Sequence, residues 1–157
     1  MYTLKDIKLE DVAIKEKADD WKEAIINSSQ KFLKRGFINQ NYIDSMVNSV
    51  IEHGPYIVLA ENIALAHARP EDGALKTGLF FATLEKPIEF NAEDYDPVKL
   101  VIVLSAEDSE GHINLLMELS SILENKELVD NLIKQETKEG FLELIKGALE
   151  WFLQRKK

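Results

Sequence analysis

The chain has no cysteine, which removes disulfides, thiolate nucleophiles and cysteine-ligated zinc or iron–sulfur centres from consideration. It also lacks long apolar runs. Leu100-Val101-Ile102-Val103-Leu104, among the longest, falls far short of the roughly 18 to 20 residues a membrane-spanning helix needs. The opening Met1-Tyr2-Thr3-Leu4-Lys5-Asp6 turns to mixed charge instead of forming the apolar stretch of a secretory signal. No direct membrane insertion and a cytoplasmic location are therefore expected. Positive charge is in deficit, with 19 Lys and Arg against 28 Asp and Glu for a net charge of -9. The basic residues are scattered, apart from Arg155-Lys156-Lys157. This balance opposes nucleic-acid phosphates and favours a basic protein partner. Also missing are a glycine-rich phosphate loop, a dinucleotide fingerprint and a Gly-x-Ser-x-Gly elbow. No histidine pair has metal-ligand spacing. Neither a cofactor nor a metal is expected.

What is present reads as one domain over 1–157, long enough to bury a single core. Apolar residues at 45% and charged residues at 30% are the balance of an ordinary globular protein. A short strand near Val12-Ala13-Ile14 precedes Asp19-Asp20, a helix cap, and a helix over 21–35 that Gly36 stops. Next, Ile43, Met46, Val47, Val50 and Ile51 recur at helical spacing as one apolar stripe, ended by Gly54-Pro55.

Runs rich in β-branched or aromatic residues at 56–59, 63–65, 78–83 and 100–104 read as strands. The last is apolar at every position, as expected of a central strand covered on both faces. Helical periodicity then returns through Leu115, Leu116, Leu119, Ile122 and Leu123, again near 128–133, and finally through Phe141, Leu144, Ile145, Ala148, Leu149 and Phe152. The expected fold is α/β, a three-layer sandwich with a mixed, mostly parallel sheet of about five strands and helices on both faces.

Without cysteine, nucleophiles and general bases narrow to His53, His67 and His112 plus carboxylates, lysines and hydroxyls. His67 follows the apolar run Ile63-Ala64-Leu65-Ala66 and precedes the polar turn Ala68-Arg69-Pro70-Glu71-Asp72-Gly73. It therefore sits where a strand leaves the sheet, a common place for function in α/β folds. Small neighbours, Ala66 and Ala68, would let another protein approach the ring. From spacing alone, a lone histidine after a strand is more often a surface or satisfied residue. His112 lies near a helix start, where backbone N–H groups favour an anion, and it also fits an exposed helix-start residue beside a capping Asp108. His53 reads as a helix C-terminal charge.

The segment Asn62-Ile63-Ala64-Leu65-Ala66-His67-Ala68 resembles the strand-end pattern Gly-Ile-Ala-x-Pro-His-(Ala/Gly) of mannitol/fructose-type enzyme IIA domains of the sugar phosphotransferase system. The likeness runs on through Lys76-Thr77-Gly78, the turn Leu84-Glu85-Lys86-Pro87-Ile88-Glu89-Phe90 and the segment ending in His112. Within the family the chain looks most like the ascorbate-specific branch, on Glu52-His53-Gly54-Pro55-Tyr56-Ile57-Val58-Leu59 and His67-Ala68-Arg69-Pro70-Glu71-Asp72-Gly73. It departs from the pattern at Asn62, where the family usually has Gly, and at Ala66, which replaces the Pro before the histidine. The mannitol-type arginine ahead of the motif is missing between Arg35 and His67.

The resemblance implies that the histidine-containing phosphocarrier protein donates a phosphoryl group to His67. His112 then stabilises the phosphoryl oxygens, and a cysteine of enzyme IIB accepts the group on its way to a sugar at the membrane permease, enzyme IIC. Arg69 is either a supplementary charge stabiliser or one half of a surface salt bridge. Two other readings stand beside transport: a regulatory domain whose phosphorylation controls a partner, and a decayed domain that only binds one.

Overall fold

The computed structural model describes residues 2–155; Met1, Lys156 and Lys157, the last two belonging to the basic cluster, lie outside the described residues. Five strands form one sheet: β1 (Val12–Glu16), β2 (Val58–Ala60), β3 (Ile63–Ala66), β4 (Gly78–Ile88) and β5 (Val98–Ser105). Five α-helices accompany them: α1 (Trp21–Lys34), α2 (Gln40–His53), α3 (Ser109–Leu123), α4 (Lys126–Lys134) and α5 (Lys138–Arg155). The strand order is β1-β4-β5-β3-β2, which puts β5 in the centre. Every residue of β5 is buried except the half-buried Lys99, as its unbroken apolar run requires.

The sheet is mixed, but the expectation of mostly parallel pairing needs correction. β1/β4 and β3/β5 are parallel, while β4/β5 and β2/β3 are antiparallel. The reason lies in the connections. Short links from β2 to β3 and from β4 to β5 permit only antiparallel neighbours, since a parallel pair needs a longer crossover.

Alternation along the strands separates two apolar cores. Ala13, Ala64, Ala66, Phe80, Ala82, Val101 and Val103 face α1 and α2 with Ile25, Phe32, Tyr42, Ile43 and Met46. Their neighbours Val12, Ile63, Leu65, Leu79, Phe81, Ile102 and Leu104 face α3, α4 and α5 with Leu115, Leu119, Leu132, Phe141 and Ile145. Successive strand side chains point to opposite faces, so β5 serves both cores and the molecule has three layers.

Local chemistry sets the helix ends. The side chains of Asp20, Asn39, Asp108 and Asn125 each accept a backbone N–H from the first turn of the helix they precede, satisfying one of its orphan donors. Gly54 closes α2 with φ 83°, a conformation suited to glycine.

Three further expectations change. Ile51 is 59% exposed and stands outside the stripe formed by Ile43, Met46, Val47 and Val50. The segment expected as a turn at 84–90 lies largely within β4, whose pairing shifts register between Thr83 and Ile88. Residues 85–87 are exposed there, so Pro87 is tolerated without a ladder bond. The run at 56–59 forms a strand only from Val58, with Tyr56 in the preceding turn.

Asn62 occupies the tight turn into β3 with φ 72°. Asparagine tolerates this left-handed backbone better than most residues. Its side-chain amide donates to Pro97 O at 2.7 Å, which fixes the turn and accounts for asparagine serving where the resembling family has glycine.

Candidate functional site

The parallel strands β3 and β5 end together, with Ala66 opposite Val103. Beyond them the chain diverges: from β3 into the 67–77 loop, from β5 into α3. A crevice at diverging carboxyl ends of strands is where α/β sheets present ligands. Here an open groove of about 910 Å³ lies over those ends, walled by Ser45, Asn48 and Ser49 of α2, by Arg69 and by Ser109 and His112 of α3. His67 sits in this groove.

His67 is the first residue after β3. Its Nδ1 lies 2.7 Å from Leu65 O. A carbonyl only accepts, so Nδ1 carries the proton and Nε2 carries the lone pair. Burial lowers the pKa of His67, and the bond to Leu65 O opposes that shift. The ring is thus neutral at pH 7, in the tautomer that leaves Nε2 nucleophilic.

The His112 ring lies 5.5 Å from that of His67, centroid to centroid, at 58°. His112 is in the first turn of α3, where the Asp108 side chain caps Gly111 N–H at 2.7 Å and the Asp108 carbonyl accepts His112 N–H at 3.1 Å. Its pKa is lowered by burial and, secondly, by the charge of a protonated His67. His112 Nδ1 is buried and has no hydrogen-bond partner among the described residues. A buried polar atom without a partner is costly unless a ligand completes it. On the other flank, Tyr56 meets His67 edge-on at 5.9 Å and 84°.

Two hydrogen-bonded features hold the loop after His67. The buried Tyr42 hydroxyl donates to Leu104 O at 2.6 Å and accepts Ala68 N–H at 3.1 Å, with Ala68 O also 3.2 Å away. Farther along, Asn41 donates to Asp72 O at 2.8 Å, and Asn39 N–H donates to Gly73 O at 3.0 Å. Gly73 has φ 130°, and an added Cβ would collide with the Asn39 side chain.

The structure thus brings His67, His112 and Arg69 to one groove. Arg69 stands on the rim with its side chain 76% exposed and Nε 3.4 Å from Asp72, the salt-bridge arrangement weighed from the sequence. His53 ends α2 on the same groove and lies 3.5 Å from Glu52. Sequence reasoning missed the α2 wall, although Ser45, Asn48, Ser49 and Glu52 recur at helical spacing opposite the apolar stripe. That polar stripe was the available signal. It also missed Tyr42, whose hydroxyl partners are remote in sequence. No group of three or more His, Cys, Asp or Glu among the described residues is placed to hold a metal. No helix among them is long and apolar enough to cross a membrane.

Fold and groove together define a class: a three-layer α/β sandwich with two imidazoles in an open groove where its central parallel strands diverge. Residues 7–148 match the family Phosphoenolpyruvate-dependent sugar phosphotransferase system, EIIA 2, and the chain belongs to that family. It is 38% identical over 134 residues to the mannitol-specific cryptic phosphotransferase enzyme IIA component of Escherichia coli (strain K12), covering 85% of this chain and 90% of that one. To the ascorbate-specific PTS system EIIA component of Shigella boydii serotype 4 (strain Sb227) it is 34% identical over 135 residues, covering 85% and 88%. The enzyme IIA in the solved complex of enzyme IIAMTL and phosphorylated enzyme IIBMTL from Escherichia coli superimposes with a TM-score of 0.80 at 27% identity, over 90% of this chain and 98% of that one.

Proposed function

We propose that this enzyme IIA accepts a phosphoryl group on His67 Nε2 from the histidine phosphocarrier protein and passes it to a cysteine of its enzyme IIB, serving a membrane permease of ascorbate type. The carrying observation is the bond between His67 Nδ1 and Leu65 O, which reserves Nε2 as the nucleophile in an open groove. In the first step the Nε2 lone pair attacks the phosphorus of the donor's phosphohistidine. The new N–P bond forms as the donor's N–P bond breaks, and the electron pair stays with the donor imidazole. In the second step a cysteine thiolate of the partner displaces His67 from phosphorus.

Such transfers need in-line positioning and stabilised equatorial oxygens more than acid–base chemistry. His112 supplies a donor, and the amide dipoles at the start of α3 add favourable potential. Arg69 is the supplementary cation, available if it exchanges Asp72 for the phosphoryl group. The enzyme IIB assignment draws on the Escherichia coli IIA–IIB complex. The ascorbate assignment draws on the long matching strings and on the ascorbate-specific relative. Residues 1–157 act as one domain in the cytoplasm.

Intact-mass analysis after incubation with phosphoenolpyruvate, enzyme I and the phosphocarrier tests the reading. Wild type gains one acid-labile phosphoryl group, His67→Ala gains none, and His112→Ala gains it about a hundredfold more slowly, the usual cost of one lost oxyanion donor. A His67→Ala variant that is still phosphorylated at the wild-type rate would end the proposal.

A further inference from the structure

We propose that Tyr42 is the positioning residue of this phosphocarrier: its hydroxyl is spliced between the backbones of Ala68 and Leu104 and fixes the direction in which His67 leaves the sheet. This rests on His67 being the acceptor.

On the near side of His67, the backbone is held in the sheet through Ala66, opposite Val103. On the far side the ladder stops, because β3 and β5 diverge. A single buried phenol bridges the gap, taking Ala68 N–H at 3.1 Å and giving its own proton to Leu104 O at 2.6 Å. One hydroxyl proton and two lone pairs match these demands. Tyr42 has no exposed surface, so water does not replace it. Burial also pushes its pKa up to about 12, which keeps the phenol protonated and able to donate throughout the physiological range. The helix carrying the phenol also carries Ser45, Asn48 and Ser49, so the same contact sets the distance between the acceptor and the α2 wall of the groove.

On the near side of His67 the pairing of Ala66 with Val103 already holds the backbone. Tyr42 provides the matching constraint one residue after the histidine. Tyr42 does not touch the transferring group; it acts through the backbone on the aim of the His67 ring, and misplacements of about 1 Å cost up to a hundredfold in rate.

The test compares wild type, Tyr42→Phe and Phe141→Leu, the last a packing defect in the core on the opposite face of the sheet. Two readouts are taken: the ¹⁵N imidazole signals of His67, and the rate of phosphoryl uptake from the phosphocarrier. Tyr42→Phe is expected to slow uptake about ten- to a hundredfold while still reaching one phosphoryl group per chain. Its His67 signals should move from a single Nδ1–H tautomer toward a mixture. Phe141→Leu should lower the melting temperature without altering either readout.

A folded Tyr42→Phe with wild-type uptake and unchanged His67 signals overturns the proposal, as does an equal slowing by Phe141→Leu. If Tyr42→Phe does not fold, wild-type amide exchange decides: Ala68 should exchange as slowly as β5, and fast exchange rejects the bridge. The imidazole signals need no phosphate, so a wild type that takes up none overturns the phosphocarrier reading, while those signals still judge the bridge.

Discussion

The two faces of the sheet are built differently. Toward α3, α4 and α5 the strands present large aliphatic and aromatic groups, Ile63, Leu65, Leu79, Phe81, Ile102 and Leu104. Toward α1 and α2 they present Ala13, Ala64, Ala66 and Ala82 among Phe80, Val101 and Val103. Small strand residues allow a helix to lie close, and on that side the α2 phenol reaches the backbone at the strand ends. The large-residue face contributes buried apolar area, at about 25 cal/mol per Å². It reaches the site through the start of α3, with Ser109, His112 and Ile113. One face supplies mainly cohesion, while the other combines cohesion with placement.

Substitutions can break that contrast. Phe81→Ala on the large-residue face should cost about 3–5 kcal/mol of unfolding free energy, read by denaturant melts, while the surviving folded fraction keeps its phosphoryl uptake rate. Ala64→Leu on the small-residue face should cost less, about 1–3 kcal/mol by overpacking. It should nevertheless slow uptake, because α2 must move. If Phe81→Ala slows the folded protein more than Ala64→Leu does, the contrast fails. Asp108→Ala removes the α3 cap for about 1 kcal/mol and frays the turn that carries His112. A modest slowing with little change in melting temperature is expected from kinetics and calorimetry.

The smallest effect is on pH dependence. Burial depresses the folded pKa of His67 below its ordinary 6.5. Below that value the unfolded chain takes up the proton before the folded one does. The His67 contribution to stability is therefore present above pH 6.5 and is lost as pH falls through the depressed folded value. Replacing His67 by Ala should flatten that part of the stability curve. Phosphoryl uptake by wild type should likewise be constant at neutral pH and decline only on the acid side, in stopped-flow or quench experiments. An inflection above pH 7 would contradict the burial argument.

Legibility differed by element for physical reasons. The run at 100–104 could be read as a central strand because covering both faces leaves no position for a polar residue. Asp20 could be read as a cap because capping is chemistry within one turn. Ile51 misled, since helical spacing reports which residues share a stripe but not how wide a stripe the neighbours cover. The turn expected at 84–90 misled as well: Pro87 reads as a breaker unless the lapse in pairing beside it is known. His67 was visible as a strand-end histidine, but its pairing with His112 entered only through resemblance, because nothing local links the two rings.

What the sequence determined by itself was therefore what acts over a turn of helix or a pair of strand residues: helix ends, the alternation that splits the apolar side chains into two cores, and the absence of thiol chemistry. The tertiary structure decided the rest. It set the His67 tautomer through Leu65 O, left His112 Nδ1 without a partner among the described residues, and placed the Tyr42 hydroxyl between Ala68 and Leu104. Apart from the Leu65 contact, these depend on groups far apart in the chain meeting at hydrogen-bond distance. Only the packing of helices onto the sheet sets those distances.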